Sequence, residues 1–160
     1  MSAIKIASDI ERIGDISANI SQRLMSPDCM SSLTVVPAIK QLCKQTQLNV
    51  IASIDALTHG NSLKAMQVYN AYDDIDRLHE TLESEVLSLM MHAKLDANTG
   101  AELISIIRYF ERMADHARNI AKKVYYAHTV DYLQDSAPDD GELQNIEHDT
   151  DSYMQKKAAI

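Results

Sequence analysis

Two stretches of the chain, offset by 100 positions, carry the same polar residues at the same spacing. Residues 9–21 read D-I-E-R-I-G-D-I-S-A-N-I-S, and residues 109–121 read Y-F-E-R-M-A-D-H-A-R-N-I-A. The shared residues are Glu11, Arg12, Asp15, Asn19 and Ile20 in the first stretch and Glu111, Arg112, Asp115, Asn119 and Ile120 in the second. Neighbouring apolar positions differ between the copies. If packing alone had preserved the repeat, the apolar residues would match and the polar ones would differ. The matching polar residues therefore indicate a functional site.

The acids of each copy have the spacing of a helical pair. Residues four apart lie one above the other on a helix, so Glu11 projects with Asp15, and Glu111 with Asp115. Both pairs lie roughly opposite the apolar stripe of their helix. Two carboxylates at this spacing repel each other, and a hard cation bound by their oxygens removes that penalty. One such pair alone is explained by a solvated acidic face, whereas the duplication favours a metal site.

A third acidic group lies between the two copies, in a segment with helical periodicity. Asp73 and Asp76 share a face there, and an antiparallel neighbour could place them opposite Glu111 and Asp115. A surface acidic run explains the same residues. The predicted metal ligands are Asp73, Asp76, Glu111 and Asp115, while Glu11 and Asp15 form a weaker half-site completed by another chain or by water. This donor set suits Fe, Mn, Mg or Zn, and it contains no His.

Composition excludes several other functions. The net charge of −8 and the pI of about 5.1 argue against a nucleic-acid surface. Two cysteines form no disulfide framework, which favours a reducing, cytoplasmic setting. No signal peptide and no apolar run of about 18 residues is visible, so no membrane insertion is expected. Phosphate-loop, dinucleotide and serine-nucleophile motifs are absent from the sequence, so we expect no enzyme activity.

The chain has few helix breakers, with four Gly and three Pro. Apolar periodicity predicts helices over about residues 3–24, 33–58, 62–95 and 101–127. Gly60 closes the second helix, Asn61 or Ser62 caps the third, and residues 25–32 and 96–100 are predicted connections. The apolar face of the second helix is predicted to consist of Ile39, Leu42, Val50, Ile54 and Leu57.

Short connections imply antiparallel neighbours, so the predicted fold class is all-α, an antiparallel three-helix bundle with one extra N-terminal helix. Residues 33–128 form the complete three-helix repeat, and residues 3–24 are the last helix of a truncated preceding repeat. Residues 129–160 are an acidic tail, in which 142–157 form a short helix or stay disordered. The N-terminal helix has an apolar stripe but no unit of its own, so it must pack on the complete unit, on another chain or on residues outside this sequence. A homodimer through this helix, or a swapped one, is predicted.

The two motifs, over about residues 3–128, resemble the paired signatures of the PhoU family of phosphate-uptake regulators. The resemblance implies tandem three-helix repeats and metal clusters at Glu11 with Asp15 and at Glu111 with Asp115. It also implies a cytoplasmic regulator that restrains phosphate transport and starvation signalling through a phosphate ABC transporter and a sensor kinase. The sequence departs from the family at Tyr72, which stands four before Asp76 where an acid is usual.

Two alternatives remain at this point. The chain could be the cytosolic PhoU-like regulatory domain of a sodium–phosphate symporter, and the sequence upstream of Met1 would separate this alternative from the adaptor. A ferritin-like di-metal enzyme would require Glu-x-x-His pairs. Neither motif has such a pair, because Glu111 is followed three residues later by Ala114, and Glu11 by Gly14. This third class of protein is therefore the weakest of the hypotheses.

Overall fold

The computed structural model describes residues 2–25 and 36–134, with side chains described for 3–25 and 36–128. These residues form four helices, α1 (Ser2–Leu24), α2 (Ala38–His59), α3 (Ser62–Met91) and α4 (Ala97–Gln134), and no strand. The all-α prediction is confirmed. Most of the predicted turn at 25–32, and the possible helix at 142–157, lie outside the described residues.

The turn between α2 and α3 follows the sequence signals. Gly60 adopts φ 59° and ψ 31°, the left-handed conformation, and its N–H donates to carbonyls in the last turn of α2. The Asn61 side chain accepts a hydrogen bond of 3.0 Å from the Lys64 N–H, which caps α3. An ion pair between Asp55 and Lys64 joins the two helices. Both predicted end signals are therefore confirmed.

The connection between α3 and α4 differs from the sequence prediction. Helix α3 ends at Met91, earlier than the expected position near residue 95, and Ala93 has a left-handed φ of 53°. Asp96 Oδ1 accepts the Thr99 N–H at 3.0 Å, so residues 97–100 form the first turn of α4 instead of a connection. Gly100 is buried beside the Met90 side chain, which leaves no room for a Cβ. Gly100 therefore lets the Met90 side chain approach the α4 backbone closely, and α4 continues through it.

The outer ends of α2 and α4 also differ from expectation. Helix α2 begins at Ala38, directly after Pro37, and the predicted residues 33–35 lie outside the described part. Helix α4 continues to Gln134, past the expected end near residue 127. The first six residues of the predicted tail, 129–134, therefore extend α4.

Helix α4 is the centre of the molecule. It packs against α1, α2 and α3, while α2 and α3 also pack against each other. Ion pairs of Arg23 with Glu102 and of Asp9 with Lys123 show that α1 runs antiparallel to α4. The N-terminal helix thus packs on the complete three-helix unit. The homodimer stays a prediction.

Helix α2 turns a partly polar face toward the bundle. Ile39 and Leu42 are buried as expected, but Val50, Ile54 and Leu57 are only half-buried. Their place in the core is taken by Thr46, Asn49, Ser53 and Ala56, all at most 5% exposed. Small side chains permit close approach of helices, and α4 buries three alanines, Ala114, Ala117 and Ala121. Val50, Ile54 and Leu57 still pack against the core clusters, so the apolar face predicted for α2 lies at the edge of the core in its C-terminal half.

The two glycines Gly60 and Gly14 should respond oppositely to substitution by Ala. Gly60→Ala places a Cβ against the His128 ring in a left-handed backbone, and we expect it to lower the free energy of unfolding by about 1–2 kcal/mol. Gly14→Ala, in a helix with nothing within 4 Å of the new Cβ, should raise it by about 0.5–1 kcal/mol. Urea unfolding measures both, and a neutral Gly60→Ala would contradict the cap assignment.

Candidate functional site between α3 and α4

Glu111 of the second motif is held by a tyrosine of α3. The Tyr72 hydroxyl donates a 2.7 Å hydrogen bond to Glu111 Oε1. Tyr72 is only 8% exposed, and this burial, together with the hydrogen bond to Glu111 and the nearby charges of Glu111 and Asp76, raises the pKa of its phenol. The phenol therefore stays protonated and remains a donor. Tyr72 occupies the position where the family pattern led us to expect an acid, and it binds the facing carboxylate through its hydroxyl.

Asp115, one turn further along α4, is bound by two residues of its own helix. Arg118 donates to Asp115 Oδ1 at 2.9 Å, and Asn119 Nδ2 donates to Oδ2 at 3.2 Å. The Arg118 guanidinium also lies 3.9 Å from the centroid of the Tyr72 ring, a cation–π distance. Glu111 and Asp115 therefore have a positive charge and a hydroxyl donor beside them, which offsets the repulsion between two carboxylates on one helix face.

On α3, Asp76 and Glu83 lie near His79, whereas Asp73 does not. Asp76 is half-buried, and its Oδ1 lies 4.0 Å from Nδ1 of His79, whereas Asp73 is exposed. Glu83, further along the same face, lies 3.5 Å from His79 Nε2 and accepts a 2.6 Å hydrogen bond from Arg108 of α4. The position of His79 beside Glu83 and Arg108 could not be predicted, because the residues next to it on α3 do not indicate which side α4 occupies.

The structure brings some of the predicted metal ligands together. Asp76, Glu111 and Asp115 surround the Tyr72 and Arg118 pair, while Asp73 faces solvent. Within residues 2–25 and 36–134, no three or more His, Cys, Asp or Glu side chains are arranged to hold a metal ion. The metal site remains a prediction that requires the carboxylates to exchange partners.

The first motif has a different environment from the second. Glu11 and Asp15 are exposed on α1, as are the other shared polar residues of that copy. On α4 the second motif lies roughly off the main apolar stripe, as predicted, but Glu111, Asp115 and Asn119 are half-buried because α3 covers that side. The predicted half-site at Glu11 and Asp15 is thus open to solvent.

The contact between α1 and α4 contains a half-buried polar group that sequence reasoning missed. The Asp9 carboxylate, 13% exposed, lies 2.9 Å from His116 Nδ1 and forms an ion pair with Lys123. At the other end of α1, Arg23 pairs with Glu102 and lies over the Tyr109 ring, 5.5 Å from its centroid. His116 could not be assigned this partner from the sequence, because the pattern of one helix does not reveal which helix packs against it.

These cross-helix contacts relate the two copies of the repeat. Arg23 and Lys123 occupy the same position in the two copies, and so do Asp9 and Tyr109. Arg23 reaches Tyr109 and Lys123 reaches Asp9, so each basic residue contacts the corresponding position of the other copy. Helices α1 and α4 therefore pack about an approximate two-fold axis.

Comparison with known proteins identifies the family. The model of the PhoU domain matches residues 39–124, which is more than half of the chain. The chain belongs to the PhoU family. A search of the solved structures gave no significant match.

Several curated relatives carry the name phosphate-specific transport system accessory protein PhoU homolog. The protein of this name from Caulobacter vibrioides is 30% identical over 141 residues, covering 86% of this chain and 60% of that protein. The one from Zymomonas mobilis is 31% identical over 81% of this chain and 54% of its own length. The one from Rhizobium meliloti is 26% identical over 94% and 64%. The chain thus spans somewhat under two thirds of the length of these relatives.

None of the helices in the described ranges is both long and apolar enough to cross a membrane.

The Tyr72 hydroxyl should stabilise the fold in a pH-dependent way. Tyr72→Phe removes the bond to a charged acceptor and should cost about 1–3 kcal/mol near neutral pH. Because the folded-state pKa is raised, this contribution is fully present below about pH 10 and is lost as the pH rises toward that pKa. Urea unfolding of wild type and variant at several pH values measures the difference.

The matched control is Tyr69→Phe, which removes the hydroxyl of the other tyrosine near Arg118 and leaves the Tyr72–Glu111 bond intact. Because this control keeps the Tyr72 hydroxyl, we expect its stability to follow the same pH profile as that of the wild type, including the fall above about pH 10. Equal pH profiles for the two variants would contradict the role given to Tyr72.

Proposed function

We propose that this chain is a non-catalytic regulator of phosphate uptake, an adaptor at the cytosolic face of a phosphate ABC transporter and its sensor kinase. The observation that carries the proposal is the PhoU-domain match, which includes the whole second motif. The names of the curated relatives, accessory proteins of a phosphate-specific transport system, support the same role. They favour the adaptor over the symporter domain, because each is named an accessory protein.

The proposal includes metal binding at the second motif. Fe, Mn, Mg or Zn would be held by Glu111 and Asp115 with Asp76 and Asp73 of α3, since hard or borderline cations prefer carboxylate oxygens. Glu111 must then leave the Tyr72 hydroxyl, and Asp115 must leave Arg118. The metal therefore competes with an internal hydrogen-bond donor and an internal positive charge. Glu11 and Asp15, exposed on α1, would bind a cation more weakly.

Isosteric substitution tests this metal site. The double variant Glu111→Gln with Asp115→Asn keeps side-chain size and hydrogen-bonding capacity and removes two charges, so Mn or Fe binding measured by calorimetry should be lost. Substitution of the same residues by Ala would also remove the Tyr72 and Arg118 contacts, and would confuse stability with binding. Circular dichroism should show the fold unchanged.

The matched control is Glu80→Gln with Glu85→Gln, which removes the same charge from exposed positions on α3. It should leave the metal stoichiometry as in the wild type. Equal metal content in both double variants would exclude the proposed ligands while leaving the regulatory role untested by this experiment.

Binding to the transport complex should depend on salt. The chain carries a net charge of −8, and cytosolic loops of membrane proteins are rich in Lys and Arg. Exposed charges interact over about 8 Å at physiological ionic strength and over about 3 Å at 1 M salt. A pull-down from membranes should recover phosphate transporter or sensor-kinase subunits at low salt and lose them at high salt. An unrelated helical protein of equal net charge is the control. Equal recovery with that control, or turnover of a phosphate ester by the purified chain, would refute the adaptor.

A further inference from the structure

One turn of α2 carries three buried side-chain oxygens that have no hydrogen-bond partner within the described part of the chain. These atoms are Gln45 Oε1, Thr46 Oγ1 and Asn49 Oδ1, and we call the three residues the polar turn. Thr46 is fully buried and Asn49 is 5% exposed. A buried oxygen that stays unpaired has lost its bonds to water without replacement, and nearly all such atoms in native proteins have a partner. The polar turn therefore requires one.

The Thr46 hydroxyl differs from other hydroxyls on the helices. Ser17 and Ser21 of α1 each donate to the carbonyl four residues earlier, at 2.8 and 2.9 Å. Ser53 of α2 donates to the Val50 carbonyl at 2.7 Å. Thr46 Oγ1 makes no bond of this kind to its own helix, although it is fully buried. Its proton is therefore available to a group that lies between α2 and the helices beside it.

Asn49 places the polar turn at the contact between α2 and α3. Its side-chain Nδ2 donates to the Val68 carbonyl of α3 at 3.3 Å, so Oδ1 is the atom left to accept a hydrogen bond. Residues three or four apart lie on one face of a helix, so Thr46 and Gln45 both lie next to Asn49, one turn earlier. The three oxygens can therefore reach a single small molecule.

Small side chains of α4 lie at the same level as the polar turn. Helices α2 and α4 both run antiparallel to α3, and Gly60 just after α2 lies against the His128 ring of α4. Counting back along both helices from this contact places the polar turn level with Ala114 and Ala117. Both alanines are fully buried, and α2 packs against α4. A short side chain here occupies little of the space between the helices.

We propose that the polar turn binds one internal water molecule between α2, α3 and α4. The water donates its two protons to Gln45 Oε1 and Asn49 Oδ1, and its oxygen accepts the proton of the Thr46 hydroxyl. Buried waters typically make about three hydrogen bonds to groups that would otherwise be unpaired, which is the number available here. The water also gives a reason for polar residues in the middle of the buried face of α2.

Burial and charge favour water over other ligands. A side chain from another molecule cannot reach Thr46 Oγ1 unless α2 moves, because Thr46 is fully buried. A cation is unfavourable because all three ligand atoms are neutral oxygens, and a buried charge without a counter-charge is costly. Water matches the two acceptors and one donor without introducing a charge.

Thr46→Val tests the proposal through the sign of its effect on stability. The substitution keeps the size and branching of the side chain and removes the hydroxyl. If the water is present it loses a partner, so we expect the midpoint of thermal unfolding to fall by about 3–6 °C. A hydroxyl without any partner would give the opposite sign, because valine would then remove an unpaired polar group.

The matched control is Thr81→Val, which removes an exposed hydroxyl that donates to the Arg77 carbonyl on α3. It makes the same chemical change in a helix outside the polar turn. We expect its midpoint to stay within about 1 °C of the wild type, because an exposed hydroxyl exchanges one hydrogen bond for another with solvent.

Two measurements on the wild type locate the ligand and identify it. A high-resolution crystal structure should show an ordered water about 2.6–3.2 Å from Thr46 Oγ1 and Asn49 Oδ1, and the same peak should be missing in Thr46→Val. The unfolding midpoint should be equal in potassium chloride and in choline chloride at the same ionic strength. A raised midpoint for Thr46→Val, wild-type density without this water, or a midpoint that depends on potassium would each overturn the proposal.

Discussion

Helix α4 is surrounded by α1, α2 and α3, and its burial determines the behaviour of nearly every polar group in the second motif. A carboxylate that loses water must gain a donor or a counter-charge, because an unpaired buried charge costs several kcal/mol. Glu111 obtains the Tyr72 hydroxyl and Asp115 obtains Arg118. The same acids on α1, at Glu11 and Asp15, remain in water and need no such partners. One sequence pattern therefore gives two different environments. The difference arises from the packing of α3, which brings Tyr72 to Glu111, and from Arg118, whose counterpart on α1 is Ala18.

The internal partners of Glu111 and Asp115 set a condition on any cation that binds there. Hydrogen bonds to charged groups contribute about 1.5–3 kcal/mol each, and an ion must offset those it displaces. A cation that keeps most of its hydration shell gains little from such an exchange, whereas one that binds several carboxylate oxygens directly gains more. Tyr72 stands where the family pattern led us to expect an acid, and its hydroxyl is a donor that any such cation would have to displace from Glu111.

The sequence predicted the parts of the fold that depend on local chemistry. Helix type, the left-handed cap at Gly60 and the side-chain cap at Asn61 are properties of a few neighbouring residues, and the structure confirms them. The end of α3 was missed because a left-handed Ala93 and a capping Asp96 leave little trace in apolar periodicity. The buried face of α2 was misjudged because Thr46, Asn49 and Ser53 enter the core only through the proximity of other helices. The Asp9–His116 contact joins residues from two distant helices, and no local pattern could have revealed it.

The two polar clusters that join α1 to α4 lie at opposite ends of α1, at Asp9 and at Arg23. Two ion pairs at opposite ends of α1 specify both its position along α4 and its rotation about its own axis. A slip by one helical turn displaces α1 by about 5.4 Å, and it would separate both ion pairs at once. The register in which both ion pairs form is therefore favoured over its neighbours, and the two contacts together align the two copies of the repeat.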